Sequence, residues 1–222
     1  VMDARARAEN ILENDLRLAL VRGEFELYYQ PQLDASDGGV TGVEALIRWQ
    51  HPTRGLLLPG EFIEHAEKRG LINDIGDLVL SIACRQAKVW SDAGIPPMRI
   101  AVNISPTHFK SRDFVRTVKD TLEKSGADPS WLEVEITETA MMDQTDEITE
   151  RINQLTKLGV SVAIDDFGIG YTSLSYLKMF PIQKLKIDRS FVSKLLSSPQ
   201  DVAITEAIVN LGRNLNLKAV AE

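Results

Sequence analysis

Short apolar segments with the composition of strands alternate along this chain with longer segments in which apolar residues recur at helical spacing. Strands are predicted at residues 25–30, 40–46, 99–104, 132–137, 160–164, 183–187 and 217–221. Helices are predicted at residues 4–21, 59–70, 74–93 and 173–178, and around 114–122, 148–158 and 204–211. This alternation is typical of parallel βα units. Seven strands in one chain of 222 residues favour an α/β fold of the TIM-type (β/α) barrel class, with an open doubly wound sheet as the alternative.

The composition limits the classes of function. The apolar fraction of 44% and the charged fraction of 26% are ordinary for a globular domain. A net charge of -7 argues against binding of a DNA or RNA duplex through a basic face. The single cysteine, Cys84, excludes an internal disulfide, and no signal peptide or apolar run of ~20 residues is present. We therefore expect a cytoplasmic protein, or the cytoplasmic part of a membrane-tethered one.

Charged or amide side chains stand at the predicted ends of most strands. They are Glu44, Asn103, Glu135, Asp165, Asp166, Lys186, Asp188 and Glu222. Each unpaired buried charge costs several kcal/mol, so a series of this kind is not expected for independent core residues. Since the carboxyl ends of parallel strands converge in a barrel, the pattern predicts one site at that end.

The chemistry of this set indicates bound cations. Carboxylate and amide oxygens select hard divalent ions such as Mg²⁺ or Mn²⁺. So acidic a cluster suits two metals that share a bridging carboxylate, either Asp165 or Asp166. Two metals about 3.5–4 Å apart are a common device for in-line attack on a phosphodiester.

Seven short motifs occur in a fixed order along the chain. They are YYQP at 28–31, EALIRW at 44–49, PGEFI at 59–63, VNIS at 102–105, EITE at 135–138, DDFGIGYTSL at 165–174 and KIDRSF at 186–191. In these motifs the chain resembles the EAL family of cyclic di-GMP phosphodiesterases. The triplet Glu44-Ala45-Leu46 alone is weak evidence, but the ordered set is highly specific.

The resemblance implies metal-dependent hydrolysis of cyclic di-GMP to linear pGpG, in bacterial signalling that includes biofilm control. It implies a barrel whose first strand is antiparallel to the others, with two Mg²⁺ or Mn²⁺ ions per active site. Because Ca²⁺ prefers more ligands at longer distances, we expect calcium to inhibit.

The same resemblance implies roles for individual residues. The matched metal ligands are Glu44, Asn103, Glu135, Asp165 and Asp166. Glu44 also matches a catalytic residue of the family. Lys186 matches the lysine that orients the attacking water, and Glu222 the carboxylate that holds or deprotonates it. The matched substrate-binding residues are Gln30, Leu46, Arg48 and Asp188. Glu138 matches the residue that anchors the DDFG loop and links it to a dimer interface.

Domain boundaries and partners follow from the same comparison. Residues 1–15 are expected to form a connector helix, and residues 16–222 an EAL domain truncated at its C-terminus, without its eighth strand. A homodimer and an upstream sensory or GGDEF domain are expected. Ile169 stands where the family commonly has a threonine.

Other functions remain as alternatives. A degenerate EAL domain binds cyclic di-GMP without cleaving it, although the presence of all matched residues favours the enzyme. A metal-dependent aldolase or lyase on the same barrel is a more distant possibility. Asp166-Phe167-Gly168 lacks the other kinase motifs. His51, His65 and His108 show neither metal spacing nor a His-Asp pair, and are predicted to be surface or capping residues.

Overall fold

The structure, a computed structural model, describes residues 2–141, 145–170, 177 and 179–221. The chain consists of two compact units, Val1–Trp131 and Leu132–Glu222. Each unit has its own strands, helices and apolar core.

The sheet of the first unit is arranged around one long strand. Its strands are β1 (Phe25–Leu33), β2 (Val40–His51), β3 (Gly55–Leu57) and β4 (Arg99–Asn103). β1 and β3 pair with β2 in antiparallel orientation, and β4 pairs with β2 in parallel. The predictions for β1, β2 and β4 are confirmed. The extension of β2 from residue 46 to His51 was not predicted, because Arg48 and Gln50 interrupt the apolar pattern. The short β3 was not predicted either, because three residues are too few to form a recognisable strand pattern.

An aromatic cluster fixes the register of the β1–β2 hairpin. Trp49 is fully buried, and its ring centroid lies 5.6 Å from those of Phe25 and Phe62. Its indole nitrogen donates a 3.0 Å hydrogen bond to Glu24 Oε2. Since a slip by one residue would move every side chain to the other face, this cluster also determines which residues of β1 face outward.

The helices of the first unit cover this sheet. They are α1 (Met2–Arg22), α2 (Ile63–Lys68), α3 (Ile72–Asp92), α4 (Pro106–Phe109) and α5 (Phe114–Ser125). α3 buries an apolar stripe that includes Ile75, Val79 and Cys84. The helix predicted at 59–70 divides into a 3₁₀ turn, Pro59–Glu61, and α2. α5 ends at Gly126, whose φ of 67° suits the left-handed cap position.

The second unit contains a parallel sheet. Its strands are β5 (Leu132–Thr137), β6 (Ser161–Phe167), β7 (Lys184–Ile187) and β8 (Lys218–Ala221). They pair in chain order, and the register of β6 with β7 shifts between Ile164 and Phe167. β5, β6 and β7 are almost entirely buried. Charged side chains on these strands therefore need partners inside the protein.

The helices of the second unit are α6 (Thr145–Leu158), α7 (Arg189–Val192) and α8 (Pro199–Asn214), with a 3₁₀ turn at Glu138–Met141. α6 buries Ile148, Ile152 and Leu155. The helix predicted at 173–178 lies largely outside the described residues. Among the helices that the structure describes, none has the length and apolar character needed to cross a bilayer.

Candidate active site

In the first unit, two predicted metal ligands are in direct contact. Asn103 Nδ2 donates a 2.6 Å hydrogen bond to Glu44 Oε1. The parallel register pairs Glu44 with Ala101, which brings Asn103 at the end of β4 within reach. Glu44 itself lies within β2 and not at a strand end as predicted, because β2 continues to His51. The two oxygen-bearing side chains thus meet at the C-terminal end of β4.

Three predicted substrate-binding residues share a face of the β1–β2 ribbon with Glu44. Gln30 pairs with Glu44, and the residues at the two following positions on this face of β2 are Leu46 and Arg48. The Nη1 atom of Arg48 donates a 2.9 Å hydrogen bond to the carbonyl of Ile47. The guanidinium lies over the ring of Tyr28, 5.4 Å from its centroid. This face therefore presents the amide of Gln30, the apolar side chain of Leu46 and the guanidinium of Arg48.

In the second unit, Lys186 joins two predicted metal ligands. Its Nζ atom lies 2.6 Å from Glu135 Oε2 and 3.2 Å from Asp165 Oδ1. The side chains of Lys186 and Glu135 are 1% and 0% exposed. Lys186 lies on β7 and Glu135 on β5, so the ion pair spans the intervening strand β6. The lysine is thus surrounded by carboxylates, as its charge requires in a buried position.

A second buried ion pair lies two residues earlier on the same strands. Lys184 Nζ donates a hydrogen bond to Glu133 Oε1, and both residues are buried. Neither Lys184 nor Glu133 is among the site residues predicted from the sequence. The signal was available, because Glu133 and Glu135 alternate on β5 just as Lys184 and Lys186 alternate on β7.

Asp166 and Asp188 form a carboxyl pair beside this cluster. Burial, the charge of Asp165 and a hydrogen bond with Asp188 raise the pKa of Asp166 to about 6. Burial acts to raise the pKa of Asp188 as well, but hydrogen bonds from Ser190 and Asp166 lower it overall. Asp166 has a φ of 53°, an uncommon conformation for a residue other than glycine. Such backbone strain is frequent at functional sites.

Glu138 contacts the segment that follows β6. Its Oε2 atom accepts hydrogen bonds from the backbone N–H groups of Gly168 and Gly170, at 3.0 Å and 3.1 Å. A Cβ atom at Gly170 would lie 2.7 Å from the Glu138 carboxyl group. Glu138 is 3% exposed, so the segment and the carboxylate fit closely. The predicted motif continues into residues 171–174, which lie outside the described residues.

The prediction that the histidines are surface or capping residues is wrong for the exposure of two of them, which are buried and lie beside aspartates. His108 is buried, with Nε2 2.8 Å from Asp77 Oδ1. His51 Nε2 lies 3.4 Å from Asp15 Oδ2, while its Nδ1 accepts from the backbone of Thr53. Their partners are distant in sequence, on α3 and α1, so spacing alone could not reveal them. His51 does cap a turn.

The oxygen donors fit a hard divalent cation in their chemistry. Glu44 and Asn103 supply such donors in the first unit, and Glu135, Asp165 and Asp166 in the second. The carboxyl groups of Asp166 and Asp188 crowd together, and a bound cation would relieve this repulsion. Over the described residues, no group of three or more His, Cys, Asp or Glu side chains is arranged to hold a metal ion. Glu222 lies outside those residues.

Comparison with known proteins identifies relatives of the whole chain. A family model described as EAL domain matches residues 13–222. The bifunctional diguanylate cyclase/cyclic di-GMP phosphodiesterase MucR of Pseudomonas aeruginosa is 47% identical over 221 residues, which cover 100% of this chain and 32% of MucR. The cyclic di-GMP phosphodiesterase NbdA of the same organism is 43% identical over 218 residues, covering 98% of this chain and 28% of NbdA. The chain thus spans about a third of the length of these relatives.

Solved structures agree with this relationship. The PaMucR phosphodiesterase in complex with c-di-GMP matches with a TM-score of 0.92 and 48% identity, over 95% of this chain and 85% of that one. The EAL enzyme Bd1971, in a form with bound cAMP and cyclic-di-GMP, matches with a TM-score of 0.90 and 34% identity, over 98% of this chain and 60% of that one. EAL domains adopt a TIM-like barrel, so the predicted fold class is confirmed, including a first strand antiparallel to the second. Since the family model matches nearly the entire chain, the protein belongs to the EAL domain family.

Proposed function

We propose that this chain catalyses the metal-dependent hydrolysis of cyclic di-GMP to pGpG, and so lowers the level of this second messenger in bacterial signalling, including that of biofilms. The observation that carries the proposal is the buried Lys186 beside Glu135 and Asp165. A lysine charge held among carboxylates stabilises negative charge that develops on an attacking water or phosphate. The names of MucR and NbdA as phosphodiesterases support the same activity.

The reaction is a displacement at phosphorus. The oxygen of water forms a bond to one phosphorus atom, and the bond from that phosphorus to the ribose 3′ oxygen breaks. The water gives up a proton, and the leaving 3′ oxygen gains one, which yields pGpG with a 5′ phosphate. One phosphodiester opens, and no oxidant or reductant is needed.

Glu44, Asn103, Glu135, Asp165 and Asp166 are the proposed metal ligands. EAL phosphodiesterases are divalent-metal dependent in general. We expect two Mg²⁺ or Mn²⁺ ions per active site, with Asp165 or Asp166 shared between them. When bound, Mg²⁺ or Mn²⁺ would lower the pKa of a water molecule and would neutralise charge on the phosphate. Ca²⁺ prefers 6–8 ligands at about 2.3–2.6 Å, so we expect it to support nucleotide binding but to inhibit turnover.

The chain's own residues orient the water and the substrate. Lys186 is proposed to orient the attacking water, and Glu222 to hold or deprotonate it. Arg48 can donate two parallel hydrogen bonds to a phosphate. Gln30, Leu46 and Asp188 are the other proposed substrate contacts. Glu138 positions the segment after Asp166 through its hydrogen bonds to Gly168 and Gly170.

The proposal extends to the context of the domain. MucR is named as both a diguanylate cyclase and a phosphodiesterase, which supports an upstream GGDEF or sensory domain in the full-length protein. We further propose a homodimer, a connector helix at residues 1–15 ahead of the domain, and action on the cytoplasmic nucleotide pool. Nucleic-acid duplexes are not proposed as partners, given the net charge of -7.

Glu44→Gln tests the proposal most simply, because the amide keeps the volume but removes the charge of a ligand. Purified wild type and variant would be incubated with cyclic di-GMP and Mg²⁺, Mn²⁺ or Ca²⁺, with pGpG release and nucleotide binding measured separately. We expect turnover by wild type in Mg²⁺ or Mn²⁺ and none by Glu44→Gln. Glu206→Gln, at an exposed position on α8, is the matched control. Binding without turnover by wild type in all three ions would instead support a receptor module.

A further inference from the structure

Tyr28 is a large aromatic residue exposed in the middle of a strand. It is 45% exposed, whereas its neighbour Tyr29 turns to the other face of β1 and packs on Trp90, with ring centroids 4.9 Å apart. Successive side chains of a strand alternate between faces, so the inward orientation of Tyr29 fixes the outward orientation of Tyr28. The exposed ring is thus a consequence of the strand register.

The register places Tyr28 within the row of proposed substrate contacts. Tyr28 pairs with Leu46, between the pair of Gln30 with Glu44 and the pair of Glu26 with Arg48. Directly opposite side chains in an antiparallel pair are about 4.5–5.5 Å apart at Cβ. Tyr28 therefore adjoins Leu46 on the face that carries Gln30 and Arg48, yet the sequence motifs gave it no role.

The ring of Tyr28 is in contact with the guanidinium group of Arg48. The Cζ atom of Arg48 lies 5.4 Å from the centroid of the Tyr28 ring, and Arg48 Nη1 is hydrogen-bonded to the Ile47 carbonyl at 2.9 Å. A guanidinium over a tyrosine face is attracted by the ring quadrupole. Two contacts thus restrain Arg48, and Arg48 in turn restrains the ring. Restraint of this kind reduces the entropy lost when a ligand binds.

Planar groups of this kind recognise nucleobases. Aromatic rings and guanidinium planes both stack on bases, and a buried or half-buried stack excludes water from both faces. Gln30, two residues along the same face, offers both a donor and an acceptor for the edge of a base. We propose that Tyr28, ordered by Arg48, is a specificity-determining residue that stacks against one purine base of the dinucleotide. This inference rests on the proposed function, because it takes a cyclic purine dinucleotide as the ligand.

Binding measurements with three variants test the stacking role. Tyr28→Ala removes the ring, Tyr28→Leu keeps apolar bulk without a π-face, and Tyr28→Phe keeps the ring without the hydroxyl. Leu33→Ala, at a position of β1 that is 62% exposed, is the matched control. The dissociation constants for cyclic di-GMP and for cyclic di-UMP, a pyrimidine analogue, would be measured by calorimetry in Ca²⁺. Thermal melting of each variant would show that it folds.

Tyr28→Ala and Tyr28→Leu are expected to weaken cyclic di-GMP binding by roughly 5- to 150-fold, the range for loss of one base stack. Tyr28→Phe and Leu33→Ala should bind like wild type, and cyclic di-UMP binding should change less than cyclic di-GMP binding. In turnover assays the Tyr28→Leu variant should show a raised KM with kcat retained.

The other outcomes distinguish failure of the proposed function from failure of the stacking role of Tyr28. If wild type does not bind cyclic di-GMP, both the proposed function and the stacking role are overturned. If wild type binds and Tyr28→Leu binds equally well, only the stacking role is overturned. An equal loss in Tyr28→Phe and Tyr28→Leu would assign the effect to the hydroxyl and contradict stacking, as would an equal loss for the two nucleotides.

Discussion

The ammonium group of Lys186 lies 2.6 Å from Oε2 of Glu135, and both side chains are almost completely shielded from solvent. A buried ion pair contributes little net stability, but removal of one partner leaves a costly unpaired charge. Asp165 Oδ1 is a second anionic neighbour of the lysine, at 3.2 Å. The lysine therefore balances the charge of carboxylates that are the proposed metal ligands.

Lys186→Met should lower turnover by roughly 10²-fold or more, the usual effect of losing a group that stabilises developing charge. It should also destabilise the metal-free protein by about 3–5 kcal/mol, because Glu135 and Asp165 lose their cation. Added Mg²⁺ should then raise the melting temperature of the variant more than that of wild type. Lys186→Arg, which keeps the charge, is the control, and the role would be wrong if metal affinity collapsed while the rate persisted.

The pair of Glu133 and Lys184 should behave as a coupled unit. Either Glu133→Leu or Lys184→Met alone should cost about 3–5 kcal/mol of unfolding free energy, because each removes one member of a buried ion pair. The double variant should cost less than the sum of the two, with a coupling of about 0.5–3 kcal/mol. Urea unfolding of all four proteins measures the cycle, and strictly additive losses would show that the two side chains do not depend on each other.

Gly170→Ala should disturb the segment that Glu138 positions. The new Cβ atom would lie 2.7 Å from the Glu138 carboxyl group, so the hydrogen bonds to Gly168 and Gly170 must shift. We expect lower turnover with weaker metal binding, and the same result for Glu138→Ala. Gly60→Ala is a suitable control, because a Cβ atom at Gly60 has no neighbour within 4 Å. Normal activity in both test variants would remove the anchor role from Glu138.

His108 should make the stability of the protein depend on pH. Burial lowers the pKa of His108 below its ordinary value of 6.5, although the charges of Asp77 and Asp74 oppose this effect. The folded protein then binds fewer protons at this site than the unfolded chain does. The contribution of His108 to the free energy of unfolding is therefore fully present above the pKa of the unfolded chain. It is lost as the pH falls through and below that value.

Urea unfolding between about pH 5 and about pH 8 measures this dependence. Wild type should lose more unfolding free energy toward pH 5 than His108→Gln does. An identical pH dependence in wild type and His108→Gln would show that another group is responsible.

The sequence predicted the strands well because their apolar runs are bounded by turns and by polar residues. Leu132–Thr137 was predicted with its observed bounds, and the other strands were predicted to within a few residues, except for the short β3, which was missed, and the C-terminal end of β2. The predicted β2 ended too early because Arg48 and Gln50 interrupt the apolar pattern, although pairing with β1 continues to Trp49. Strand pairing, not local composition, determined where that strand ends.

The site was predictable where the motifs are local, and less so where contacts join distant residues. The contact of Glu44 with Asn103 follows from parallel strand ends, which sequence periodicity can suggest. The pairs of Lys184 with Glu133 and of His108 with Asp77 depend on side chains that meet only after folding. For Lys184 and Glu133, the alternation of like charges on each of the two strands was a signal in the sequence. For His108 and Asp77, the sequence contained no local signal.

Hydrolysis of cyclic di-GMP in ¹⁸O-labelled water tests the central claim most directly. Wild-type protein with Mg²⁺ would be compared with the same protein in excess EDTA and with Glu44→Gln, and the products would be analysed by mass spectrometry. We expect wild type in Mg²⁺ to form pGpG that carries one ¹⁸O atom in its 5′ phosphate, and neither of the other samples to form it. Intact cyclic di-GMP in all three samples, with binding retained, would contradict the proposed hydrolysis.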